Sequence, residues 1–182
     1  MVQQYKTDVL PFLEHSTSAV YHATTTLLET LERVQRTFLR RVGLTAEKAL
    51  TRYNLAPLCT RRDVAMLGVV HRAVLGEGPP QFRKWFFSAA ARHTFPTRLQ
   101  ERAHGRQLHD YLDGSHTALL RRSALGLPRV YNKLPAEVVA RGSVKIFQKE
   151  LQRLVREAAG RGEDNWQTFL SPRSTRAVRF TA

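Results

Sequence analysis

The chain has 182 residues, of which 42% are hydrophobic, so it can bury a core, and its single cysteine excludes an intrachain disulfide. Its formal charge is +14, from 29 Lys and Arg against 15 Asp and Glu, which favours polyanionic partners, with nucleic acid ahead of an acidic membrane surface. No run approaches the ~20 apolar residues of a membrane span. The opening "MVQQYKTDVLPFLEH" lacks a basic-then-apolar leader, so the expectation is an intracellular protein of nucleus or cytoplasm, neither secreted nor membrane-bound.

In chain order, "DVLPFLEHSTSAVYHA" (8–23) predicts a helix with Leu10, Leu13, Val20 and Ala23 apolar and Pro11 in its first turn. "TLLE" (26–29) has the form of a capping box with Thr26 as cap. From there Leu27, Leu31, Val34, Phe38 and Val42 recur at helical spacing, Leu28 and Leu39 widen the stripe, and Gly43 supplies a left-handed stop. A short helix follows at 46–53, capped by Thr45. "TRRD" (60–63) reads as another capping box ahead of "VAMLGVVHRAVLG" (64–76), whose nearly all-round apolarity marks the centre of the core. "QFRKWFF" (81–87) suggests a brief aromatic-rich helix.

Residues 90–118 show no sustained period and carry Pro96, Gly105 and the "DG" turn signal at 113–114. Two short helical pieces hinged at Pro135 are expected over 127–142. Ser143 then caps a helix over 144–159 with Val144, Phe147, Leu151, Leu154, Val155 and Ala158 on one face. The fold class is all-α, an irregular bundle of about six to eight helices with a loop-rich stretch near 90–118. Its expected parts are an N-terminal helical unit (1–89), that connection (90–118), a C-terminal helical unit (119–160) and a basic, flexible tail (161–182).

The residue patterns argue against an autonomous active site. The seven histidines have no cysteine partners at zinc spacing, and His104, His109 and His116 read as loop residues. "GEGPP" follows a helix and lacks the Lys-Ser/Thr of a phosphate loop, and Asp110 and Asp113 read as solvated turn acids. Cys59, just before an expected helix start, reads as a structural thiol. No metal or cofactor is expected.

Charge is the informative feature. Arg33, Arg36 and Arg40 share one side of the 26–42 helix, opposite the apolar stripe. Glu29 and Glu32 stand four residues ahead of Arg33 and Arg36, the favourable arrangement for surface ion pairs. Arg40 and Arg41 have no such acid. Arg61-Arg62 lie in an expected first helical turn, against the dipole, and Arg121-Arg122 have no acid within six residues on either side. Candidate phosphate contacts are therefore Arg36, Arg40, Arg41, Arg61, Arg62, Arg121 and Arg122. The aromatics Tyr53, Trp85, Phe86, Phe87, Tyr131 and Trp166 are not interleaved with this charge, and most read as core.

Three stretches, "LLETLERVQRTFLRRVGL", "YNLAPLCTRRDVAMLGVVHRAVLGEGPPQF" and "RVYNKLPAEVVARGSVKIFQKELQRLV", occur in that order. Over residues 17–156 they resemble the region downstream of the polymerase domain in non-LTR (LINE-type) retrotransposon reverse transcriptases. The matching elements are Leu31 to Phe38, Leu55 to Pro80, Tyr131 to Pro135 and Ser143 to Leu151. The resemblance implies a helical thumb and post-thumb region that contacts the template–primer backbone, with RNA, DNA or an RNA–DNA hybrid as partner and the missing palm of the parent polyprotein as a second. The palm's aromatic-x-Asp-Asp signature is absent, and no Asp-Asp pair occurs anywhere in the chain. The chain is thus expected to be a non-catalytic fragment of an RNA-directed DNA polymerase. Two rival readings are an inert retroelement remnant and a small helical interaction module that docks through "VAMLGVVHRAVLG".

Overall fold

A computed structural model describes residues 1–88, 104–113 and 116–174. Much of the expected loop-rich stretch at 90–118, its Gly114 turn residue and the last part of the basic tail lie outside the described residues. Those that are described form an all-α fold, and among them strand-like pairing is limited to one isolated antiparallel bridge between Ser88 and Leu108.

The N-terminus is a broken helix rather than one run: α1 (Val2–Gln4), a π-helical turn (Tyr5–Val9), α2 (Leu10–Glu14) and α3 (Thr17–Val20). Pro11 opens α2, where its missing N–H costs no hydrogen bond. The long α4 (Thr25–Arg41) is capped by Thr24, whose hydroxyl accepts from Leu27 N at 3.4 Å. The cap is thus two residues ahead of the expected Thr26, within a run of three threonines that all suit the position. Gly43 takes the left-handed stop with φ 67°. Thr45 caps α5 (Ala46–Tyr53) as expected, accepting from Lys48 N at 3.2 Å.

Helix α6 (Leu58–Val74) starts before "TRRD", directly after Pro57, because Leu58 is fully buried and belongs to the core. Thr60 is not its cap. Its hydroxyl, already inside the helix, donates to Gln167 O at 2.9 Å. Buried Val64, Met66, Leu67, Val70 and Ala73 make α6 the centre of the main core, as its composition predicts.

A 3₁₀ turn (Pro80–Lys84) follows, and after the undescribed stretch come α7 (Thr117–Leu120), α8 (Leu127–Tyr131) and α9 (Ala136–Val139), with Pro135 between the last two. Helix α10 (Val144–Gly160) lies along α6 with Phe147, Leu151, Val155 and Ala158 inward. A Cβ at Gly68 would meet the Gln148 side-chain amide of α10, which would have to shift. Tyr5, Leu10, Leu39, Ala49, Leu55 and Leu58 form a second, smaller cluster, in which Tyr5 stacks on Phe38 at 4.1 Å.

The expected flexible tail is corrected in part. Trp166, Phe169 and Leu170 are buried in the main core, and Ser171 and Pro172 are buried behind them. Their apolar surface requires that placement, so the packed fold extends to about Ser174.

Candidate nucleic-acid interface

Helix α4 presents a different face to the core than its apolar stripe suggests. The buried residues are Leu28, Gln35 and Leu39, whereas Leu27 is 56% and Val34 44% exposed. Leu31 and Phe38 of the expected stripe do pack against the second cluster, so at 100° per residue the inward face is turned from that stripe by about 50°. Two polar residues turn in and explain the rotation. Gln35 Nε2 donates to Ala56 O at 3.0 Å, and Glu32 receives Arg62 Nη2 at 2.5 Å. Burial raises the Glu32 carboxyl above the usual range, while Arg62 and the Cys59 backbone N–H oppose the shift.

The outward face is consequently basic. Glu29 pairs with Arg36, two turns away, and not with Arg33. Arg33 and Arg41 are exposed with no acid partner among the described residues, and Arg40 has only the Thr37 hydroxyl, at 3.3 Å. Sequence reasoning passed over Arg33 because it assigned Glu29 to it.

The remaining candidates fare differently. Arg62 is 3% exposed and held by Glu32, so its assignment as a phosphate contact is corrected: the early start of α6 places it on the inner face of the second turn. Arg61 is half-buried and forked onto Glu14, with Nη2 to Oε2 at 3.0 Å. Arg121 donates to Ser174 O at 3.3 Å, and the Arg122 carbonyl accepts from Arg173 Nη2 at 3.3 Å. Arg173 also donates to Ala23 O at 3.1 Å and to Tyr21 O, which puts Arg122 beside the start of α4. Arg40 and Arg41 lie at the other end of that helix, about 25 Å along its axis. The seven candidates therefore do not form one patch.

The buried titratable groups are structural. Tyr21 Oη donates to Asp63 Oδ1 at 2.9 Å, and the Ser171 hydroxyl also bonds to this carboxyl. Burial pushes Asp63 up to about 7, against these hydroxyls, Arg62 and Arg173, all of which favour the charged form. His71 Nε2 faces Arg141 O at 2.8 Å, so it carries the proton and Nδ1 accepts from Tyr131 Oη at 2.9 Å. His104, expected on a loop surface, is buried: Nε2 faces Tyr131 O at 3.0 Å and Nδ1 accepts from Arg106 N at 3.2 Å. Burial lowers both histidines below the ordinary imidazole value.

Cys59 is the expected structural thiol, pushed up to about 12 by burial. Asp110 is committed to Arg129 at 2.7 Å. An open cavity of about 540 Å³ lined by Met1, Val2, Gln3, Lys6, Val42, Leu44 and Tyr53 holds no carboxylate, thiol or imidazole. Among the described residues no group of His, Cys, Asp and Glu could hold a metal, and no helix is long and apolar enough to cross a membrane.

Of the aromatics read as mostly core, Phe86, Tyr131 and Trp166 are buried, while Tyr53, Trp85 and Phe87 are exposed. Comparison with protein-family models, curated proteins and solved structures finds no match to this chain.

Proposed function

We propose that the outer face of α4 binds the phosphate backbone of nucleic acid, whether RNA, DNA or their hybrid. In this reading the chain is a non-catalytic helical fragment similar to the thumb region of a LINE-type reverse transcriptase. The observation that carries the binding reading is the inward turn of Glu32. It withdraws one of the two acids that would neutralise this face, leaving Arg33, Arg36, Arg40 and Arg41 outward against Glu29 alone. From Arg33 to Arg41 the helix runs about 12 Å, enough to meet several phosphates at ~3.4 Å of axis per strand charge. Such contacts are blind to sequence. The reverse-transcriptase assignment rests on the ordered stretches over 17–156 and on the chain's all-α character.

Binding of a labelled RNA–DNA hybrid, followed by fluorescence anisotropy over a salt series, tests the interface. Each phosphate contact contributes about 0.9 to the slope of log K against log salt. Replacing both Arg40 and Arg41 with Ala should flatten the slope by about one to two units; an unchanged slope refutes the α4 assignment. An inert remnant predicts binding that is undetectable or insensitive to salt. The burial of Val64, Met66, Leu67 and Val70 in the core supports the nucleic-acid reading over an interaction module that docks through them.

A further inference from the structure

The isolated Ser88–Leu108 bridge brings Phe87 beside His109, while Trp85, at the end of the Pro80–Lys84 turn, meets Tyr111, which opens a second 3₁₀ turn (Tyr111–Asp113). His109 N donates to Phe87 O at 3.1 Å, and Tyr111 Oη donates to Trp85 O at 2.8 Å. Phe86 and Leu108 are buried, while Trp85 and Phe87 are exposed and the partly exposed rings of His109 and Tyr111 touch them. Phe87 stacks on His109 at 5.2 Å with planes 11° apart, His109 meets Tyr111 edge-on at 4.7 Å, and Tyr111 lies 6.5 Å from Trp85. Trp85 and Phe87 nevertheless keep 44% of their surface exposed.

Hydrogen bonds tie the Leu108 side of this cluster to Asn132. Asn132 accepts from Leu108 N at 2.8 Å and donates to Leu108 O at 2.7 Å, and Gln107 Nε2 donates to Asn132 O at 3.1 Å. The rim is cationic: Lys84 Nζ sits 5.7 Å from the centre of the Trp85 ring, and Arg83, one residue earlier in the same turn, is exposed. Asp110, between His109 and Tyr111, is neutralised by Arg129 at 2.7 Å.

We propose that Trp85, Phe87, His109 and Tyr111 form a stacking platform for the unpaired bases of a single-stranded polynucleotide, with Arg83 and Lys84 on its phosphates. This rests on the nucleic-acid reading above and adds a second subsite of different chemistry. Four clustered rings with cations at the rim match a chain that alternates planar bases with phosphates. Bases of any identity offer a π-face, so the platform adds a preference for single strands without reading sequence.

The sequence contains two tryptophans, so a Trp166→Phe background leaves Trp85 as the sole indole reporter. The probes are an oligothymidylate of about 12 nucleotides and an abasic strand of equal length and charge. The oligothymidylate should quench Trp85 and bind roughly tenfold more tightly than the abasic strand. Phe87→Leu, which keeps apolar bulk and removes the ring, should erase most of that difference while leaving abasic binding and the melting temperature unchanged.

Equal binding of both strands with unquenched Trp85 overturns the platform and leaves the phosphate reading of α4 standing. No binding of either strand at low salt overturns both. Quenching by a proline-rich peptide but not by oligothymidylate also overturns the platform and marks a protein-docking face instead.

Discussion

Glu32 and Arg62 meet at 2.5 Å across the seam between α4 and α6, with the arginine only 3% exposed. Removing one partner of such a pair strands a buried charge, at a cost of about 3–5 kcal/mol. Glu32→Ala should therefore lower the urea midpoint substantially, whereas a Glu32→Leu, Arg62→Met double variant should recover most of the loss. A single variant as stable as the wild type would show that the pair is dispensable.

The same contact separates two classes of arginine. Arg62→Leu should reduce stability and leave the salt slope of nucleic-acid binding unchanged where the protein remains folded. Arg33→Ala should do the opposite, weakening binding with a melting temperature shifted by no more than surface substitutions usually cause. A flattened slope for folded Arg62→Leu would return that residue to the interface.

Stability should depend on pH through two opposed sets of groups. Asp63 is raised to about 7 by burial, so between its unfolded value of 3.8 and 7 the native state holds the extra proton and stability falls as pH rises. His71 and His104 are lowered from 6.5, so the unfolded state takes the extra protons and stability falls as pH drops below that value. Asp63→Asn removes the first contribution alone. Its unfolding free energy should rise more steeply from pH 5 to 6.5 than that of the wild type, by up to about 1.4 kcal/mol per pH unit. Parallel curves in urea titrations across this range would disprove the assignment.

The segment after α10 is part of the fold. Trp166→Ala should cost about 3–5 kcal/mol and Leu170→Ala about 2–5 kcal/mol, in line with large-to-small substitutions in packed cores. Hydrogen exchange should show α6 amides losing protection in both variants. Unchanged protection would mean that this segment docks without supporting the core.

Much of the fold is legible in the sequence where apolar period and capping chemistry agree. Thr45 at the start of α5, Gly43 after α4, Pro135 between α8 and α9 and the inward face of α10 are local signals with one reading. Helix α4 offers two stripes of identical spacing one residue apart: Leu27, Leu31, Val34, Phe38, and Leu28, Glu32, Gln35, Leu39. The first is wholly apolar and reads as the core. The protein buries much of the second, because a partner guanidinium and the Ala56 carbonyl satisfy its polar members. No local pattern announces those partners, which lie 30 and 21 residues away. The basic character of the candidate interface was therefore readable while its membership was not, since membership depended on which acid paired with which arginine. The aromatic cluster is illegible in the sequence for a similar reason: its two halves are separated in the chain and meet through contacts that neither half encodes alone.

The Arg173 guanidinium gathers the carbonyls of Tyr21, Ala23 and Arg122, joining positions up to 152 residues apart, and Thr60 reaches Gln167 over 107 residues. These ties give the chain a late-closing topology. Local helices can form as the polypeptide emerges, but the loops that lock α3, α6 and the α7–α8 turn together close only when residues 166–173 are free to join them. The part of α6 that faces Trp166–Thr168 is therefore covered only once that distant segment has docked, after the local helices have formed.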